Sequence, residues 1–215
     1  MKTKIVSLLL AFGLSINAAS AGNSAKIGYV SDFFYRGQQK AEQSVQASVD
    51  FEKNLLGLKG SLHACTNQSV DGATDSYRMA GGFSKSFADE LLTGYLGINH
   101  FEDVAGEALS EVAISVSSNV LLNPTVSVYR NFDDSLYTFE ASASHGVDLE
   151  FAQLGLGASI GNTELTSSSD TTYYGVGASL SRPIGAAQGG LSIDYVDADD
   201  LHREFVFGTA LTFQF

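Results

Sequence analysis

From Arg203 the chain ends REFVFGTALTFQF, and this ending constrains the fold more than any other stretch. Successive side chains of an extended strand point to opposite faces, so Phe205, Phe207, Thr209, Leu211, Phe213 and Phe215 share one face. Val206, Gly208, Ala210, Thr212 and Gln214 take the other. A row of large apolar groups backed by small and polar ones suits a strand whose outer side meets lipid. A strand of a soluble two-sheet sandwich alternates in the same way, so the remainder of the chain has to decide.

The beginning of the chain favours export. Lys2 and Lys4 precede the apolar run Ile5 to Leu14, and Ala19-Ser20-Ala21 supplies small residues for cleavage. This is the pattern of a secretory signal peptide over residues 1–21. Its apolar core is shorter than the roughly 20 residues a membrane-spanning helix needs, and no later stretch approaches that length. Residues 22–215 are expected to form one domain, with glycine rather than cysteine directly after the cleavage site, so that nothing suggests a lipid anchor.

Composition points to many strands joined by turns. Glycine occurs 22 times and proline twice, aromatic residues make up 11% and charged residues only 17%. Long Ala, Leu, Glu and Lys helical patterns are absent beyond residue 21. Cys65 is alone, so no internal disulfide is available, and neither a neighbouring histidine motif nor a CxxC pairing marks it as a nucleophile.

About twelve alternating segments follow one another along the chain. Val45, Ala47, Val49 and Phe51 oppose Gln46, Ser48, Asp50 and Glu52, and Leu56, Leu58, Leu62 and Ala64 oppose Lys59, Ser61 and His63. Lys53-Asn54 between them reads as a hairpin turn. The same split recurs for Tyr137, Phe139, Ala141 and Ala143 against Thr138, Glu140, Ser142 and Ser144, and for Leu191, Ile193 and Tyr195 against Ser192 and Asp194. Further segments fall over 25–36, 76–85, 91–101, 108–117, 124–131, 149–160, 172–182 and 204–215. Strands near ten residues match tilted membrane strands, and Tyr29, Tyr35, Tyr77, Tyr137, Tyr174 and Tyr195 fall mostly near strand ends, where interfacial girdles sit. The expectation is an all-β fold: a closed antiparallel transmembrane β-barrel of about twelve strands with both termini periplasmic.

Every second junction reads as long and acidic: Gly37–Gln43, Thr66–Asp75, Glu102–Glu107, Asn131–Asp134, Gly161–Thr171 and Asp197–Arg203. The intervening ones, such as Pro183–Gln188, are mostly shorter, so the acidic set is expected to face outward. Asp197, Asp199 and Asp200 form its densest group, without the spacing and glycine of a calcium loop. With a formal net charge of −12, nucleic acid is excluded as a partner.

Val30 to Gln39 reads VSDFFYRGQQ. Ser31, Asp32, Phe33, Tyr35, Arg36, Gly37 and Gln39 resemble the N-terminal signature of the TorF-family porins, also called the Gcw_chp family, with Phe33 in place of the usual Tyr and Gln38-Gln39-Lys40 in place of the usual Ser-Gln. The resemblance implies an outer-membrane barrel with a pore, and the terminal row Phe207, Leu211, Phe213 and Phe215 looks like the signal read by the barrel-assembly machinery. Strand parity puts Asp32 and Arg36 together in the lumen, with Phe33 and Tyr35 on the lipid side. Asp50, Lys59, His63, Arg78, Glu111, Glu140 and Asp194 are further lumen candidates, either bracing the wall or lining an aqueous path.

Outer-membrane lipid hydrolases use serine and histidine on adjacent strands, but no nucleophile motif surrounds His63, His100, His145 or His202. No enzyme activity, metal or cofactor is expected. The sequence supports a bacterial outer-membrane porin passing small solutes or ions, with cation preference, in contact with outer-membrane lipid and lipopolysaccharide. A closed barrel whose acidic loops serve adhesion or reception is the alternative.

Overall fold

The computed structural model describes residues 22–70, 75–104, 106, 108–166, 168–199 and 203–215. They form twelve strands: β1 (Ser24–Tyr35), β2 (Gln38–Leu55), β3 (Leu58–Ser69), β4 (Ser76–Phe87), β5 (Leu92–Asp103), β6 (Ala108–Ser118), β7 (Thr125–Asn131), β8 (Tyr137–Asp148), β9 (Gln153–Thr166), β10 (Ser169–Ile184), β11 (Ala187–Ala198) and β12 (Glu204–Gln214). Each strand pairs antiparallel with its chain neighbours, and β1 closes on β12 by pairing Ser24–Val30 with Gly208–Gln214. Closure leaves no free sheet edge. Among the described residues there is no helix.

Because the side-chain period is two, the ladder registers decide which face each residue takes. Phe51 lies opposite Leu62, and Leu62 opposite Gly81, on the outside. Leu62, Leu96 and Leu191 are 64%, 59% and 63% exposed there, an apolar surface that a soluble sandwich would bury. Ser48 opposite Cys65, Asp50 opposite His63 and Ser127 opposite Glu140 face inward. The alternation read in β2, β3, β8 and β11 is therefore the inside-outside division of the barrel. Aromatic side chains gather toward both ends of the outer face: Tyr174 beside Tyr195 and Phe205 at one, Phe51 against Phe215 at the other.

Two expectations about connections are corrected. The β2–β3 turn is Leu56-Gly57, both residues with positive φ (51° and 80°), while Lys53 and Asn54 stay in the ladder opposite Gly60 and Lys59. A two-residue hairpin of the type I′ form needs left-handed backbone at both positions, and Gly57 supplies one of them without strain. The long acidic junctions also contract. At the end remote from the termini the gaps between strands are Arg36-Gly37 and residues 70–75, 104–107, 132–136, 167–168 and 199–203; at the other end they are Leu56-Gly57 and residues 88–91, 119–124, 149–152 and 185–186. Neither end is systematically longer, because polar stretches read as loop continue the hydrogen-bonded ladder. Gln38–Gln43 belongs to the 18-residue β2, and Gly161–Thr166 to the 14-residue β9.

Candidate functional site

Up to Val30, β1 is a regular wall strand: Lys26, Gly28 and Val30 face inward, and Ile27 and Tyr29 face out, 47% and 39% exposed. The ladder with β2 then slips between Phe33 and Phe34. A bulge bends its strand and breaks the alternation. Pairing with β12 already ends at Val30, and Phe33, Phe34, Tyr35 and Arg36, on both sides of the slip, are all buried. The expectation that Phe33 and Tyr35 face lipid is thus overturned, as is Tyr35 as a girdle residue. Arg36 shares no strand face with Asp32, because it is the first residue of the β1–β2 turn.

The turn is Arg36-Gly37, with φ of 53° and 75°. The ladder neighbours of β1 are β12 and β2, yet Tyr35, Arg36 and Gly37 reach β5, β6, β7 and β10. The hairpin tip has therefore folded into the barrel and touches the opposite wall. The Tyr35 ring stacks on Phe101 of β5, centroids 4.7 Å apart and planes within 7°. Phe33, Tyr35, Ala41 and Phe101 form a small apolar core inside the barrel. Arg36 Nη1 and Nη2 donate to Glu111 Oε1 and Oε2 on β6 at 2.7 and 2.6 Å, and the guanidinium carbon lies 3.8 Å from the Tyr129 ring centroid on β7. The two charged side chains are only 7% and 4% exposed. A charge so buried is tolerable only when paired, and this forked pairing satisfies both oxygens.

Gly37 closes the contact with β10. A Cβ there would lie 2.9 Å from the Tyr173 side chain, and its φ already disfavours other residues. The Tyr173 hydroxyl in turn donates to Glu140 at 2.9 Å. The structure thus brings Arg36, Glu111 and Glu140 into one array at the tip. Between the hairpin and the wall from β9 to β12 a cavity of about 80 Å³ remains, open at its mouth. Asp32, Phe34, Arg36, Tyr173, Asp194 and Val206 are among its lining.

The other sequence candidates lie apart. Asp50 pairs with His63 at 2.6 Å and accepts from Ser24 Oγ at 3.2 Å, in the half of the lumen nearer the termini. Lys59, 43% exposed, pairs with Glu52 at 2.7 Å beside the β2–β3 turn. Arg78 faces inward between Cys65 and Phe101. Asp197 accepts from the hydroxyls of Tyr174 and Tyr195 and pairs with Arg203 at 3.2 Å, and Asp199 accepts from the Thr172 amide. Asp200 and His202 lie outside the described residues. Phe207, Leu211 and Phe213 point outward on β12, and the Phe215 amide donates to the Asn23 carbonyl at 3.0 Å. His100 contacts Ser110 at 2.9 Å and Glu102 at 3.6 Å on the outer face.

Sequence reasoning found Arg36 and Glu111 separately and missed their union. The available signal was Arg36-Gly37, a turn between two strands too closely spaced for the long loop expected there. Phe101, Tyr129 and Tyr173 carried no signal, since an aromatic residue near a strand end also fits a girdle.

No protein-family model and no curated protein sequence matches the chain. Solved structures do match it in fold. A KdgM porin in complex with disordered oligogalacturonate superposes with a TM-score of 0.62 at 9% identity, over 89% of this chain and 99% of that one. A NanC porin gives 0.57 at 9% identity over 90% and 100%. LpxR from Salmonella typhimurium gives 0.53 at 12% identity over 89% and 100%. At such identities the likeness establishes a shared closed antiparallel barrel and transfers no individual residue.

Proposed function

We propose that the chain is a bacterial outer-membrane channel for passive diffusion of small solutes or ions, cation-preferring, with its lumen narrowed by the β1–β2 hairpin tip. The observation that carries this reading is the division of the barrel wall: exposed leucine, isoleucine and phenylalanine outside, and serine, asparagine and charged residues inside around a persisting cavity. Among the described residues Ser44 Oγ, Ser48 Oγ, Asn67 Nδ2 and Arg78 Nε face inward without a protein partner, which fits a hydrated interior better than a dry core. Two of the matching folds bear the name porin. The VSDFFYRG segment supports placement in the TorF family, and its Arg36-Gly37 pair makes the constriction. Cation preference rests on the net charge of −12 and on acids at the far rim, such as Asp75, Asp133 and Asp134. The terminal β12 row remains the proposed element read by the barrel-assembly machinery.

Planar-bilayer recording on the purified, refolded protein tests the proposal. Discrete steps with reversal potentials favouring K⁺ over Cl⁻ are expected. The adhesion or receptor reading draws support from the tip itself, whose buried ion pair and stacked rings fill part of the lumen; absence of current over many reconstitutions would put it first.

A further inference from the structure

We propose that ions cross this barrel off-centre, through the cavity between the hairpin and the β9–β12 wall, and that Asp194 sets their charge preference there. This rests on the channel reading and specifies its route.

The hairpin does not sit in the middle of the lumen. On the β5–β7 side the tip is held by Phe101, Glu111 and Tyr129, all large and in direct contact with Tyr35 or Arg36. On the opposite side the inward positions are small. Gly157 lies opposite Gly177, Ser159 opposite Gly175, and Ser192 opposite Gly208, so apart from Tyr173 the wall presents backbone, hydroxyls and the short side chains of Val196 and Val206 where the other wall presents rings. The asymmetry is written in side-chain volume, and the cavity lies on the side where volume is missing. Tyr173 narrows it at the tip, where Gly37 packs on the ring.

Charge along that route is also asymmetric. Arg36 lines it but is committed to Glu111. Asp32 accepts from Gln39 Nε2 at 3.0 Å. Asp194, between Gly177 on β10 and Val206 on β12, has no basic side chain within ion-pairing distance among the described residues. The charge interactions of Lys26, the inward-facing base of β1, are shared between Asp194 and Asp50. The fixed charge facing the cavity is net negative, and low-dielectric walls focus such a field onto ions in a narrow passage.

Reversal potentials under a KCl gradient, measured on the full refolded protein, test the assignment of Asp194. Asp194→Asn is expected to lower the cation-to-anion permeability ratio by about twofold or more, since a confined charge acts with little screening. Asp133→Asn, at the rim between β7 and β8, is expected to lower it less. Equal ratios in the parent and Asp194→Asn overturn the selectivity role. Thiol labelling tests the route without current. In a Cys65→Ser background, Ser192→Cys is expected to react with a small cationic methanethiosulfonate faster than Ala113→Cys, whose position faces inward on the latched side and is 1% exposed. Faster labelling at 113, or none at 192, overturns the route. A parent that carries no current while position 192 is labelled rejects the channel reading and the selectivity role together, and leaves the cavity as a closed aqueous pocket.

Discussion

At the scale of single residues the barrel turns on Arg36. It occupies left-handed backbone at φ 53°, a region in which non-glycine residues are uncommon, and its guanidinium is held by Glu111 and stacked on Tyr129. Removing one partner of a buried pair leaves the other charge unmatched, which typically costs about 3–5 kcal/mol, whereas replacing both with apolar groups is often close to neutral. Arg36→Met or Glu111→Leu alone is therefore expected to lower the temperature at which the folded band converts to the unfolded one on a detergent gel. The double variant should recover most of the loss, and equal losses in single and double variants would show that the pair is not coupled. Glu111, Asp194 and Glu140 take the inward parity of their strands because those strands are regular over these positions. Sequence parity misplaced Phe33 and Tyr35 because β1 loses its β12 partner after Val30 and its end folds inward, so that both faces of the hairpin are buried inside the barrel, and no residue type in Ser31-Asp32-Phe33-Phe34 announces that departure from the wall.

At the scale of elements, strand existence was legible and strand ends were not. All twelve alternating segments correspond to strands, since the period-two pattern is imposed by having different solvents on the two sides. Ends were lost where the ladder outruns the apolar belt, as in β2 and β9. Turn chemistry is sharper evidence than polarity at these points. Leu56 adopts φ 51° while fully exposed, so its side chain gains nothing to offset the left-handed strain. Leu56→Asn creates the Asn-Gly pair preferred in primed turns and is expected to stabilise the barrel by about 1 kcal/mol, read as a higher heat-conversion temperature. No increase would indicate that this hairpin is not strained. The closing strand gives a further expectation. Deleting Phe215 removes the amide bonded to Asn23 and the ring packed on Phe51, and should reduce the folded barrel recovered from membranes while export continues. Unchanged recovery would count against the terminal row as an assembly signal.

At the scale of the whole molecule the proposed channel puts two sets of negative charge along an ion's path, and salt separates them. Rim acids such as Asp133 and Asp134 face bulk solution and Asp75 is half-exposed at the same rim, whereas Asp194 faces a cavity beneath the hairpin. The Debye length shrinks from about 10 Å at 0.1 M to about 3 Å at 1 M, so the rim potential should fade over that range while a charge in a narrow passage stays close to every passing ion. Of the acids singled out in the sequence, Asp197 is partly neutralised by Arg203 and bonded to two tyrosines, so its contribution to the rim field is smaller than its formal charge. The parent channel is therefore expected to prefer cations at 0.1 M KCl and to keep a reduced preference at 1 M. Replacing Asp197, Asp199 and Asp200 together with Asn should lower the preference at 0.1 M and leave the 1 M value nearly unchanged. Asp194→Asn should lower both. Reversal potentials of the three proteins at the two salt levels decide it: a triple variant that loses preference equally at 0.1 and 1 M would place the selective charge at the rim and remove the need for any in the lumen.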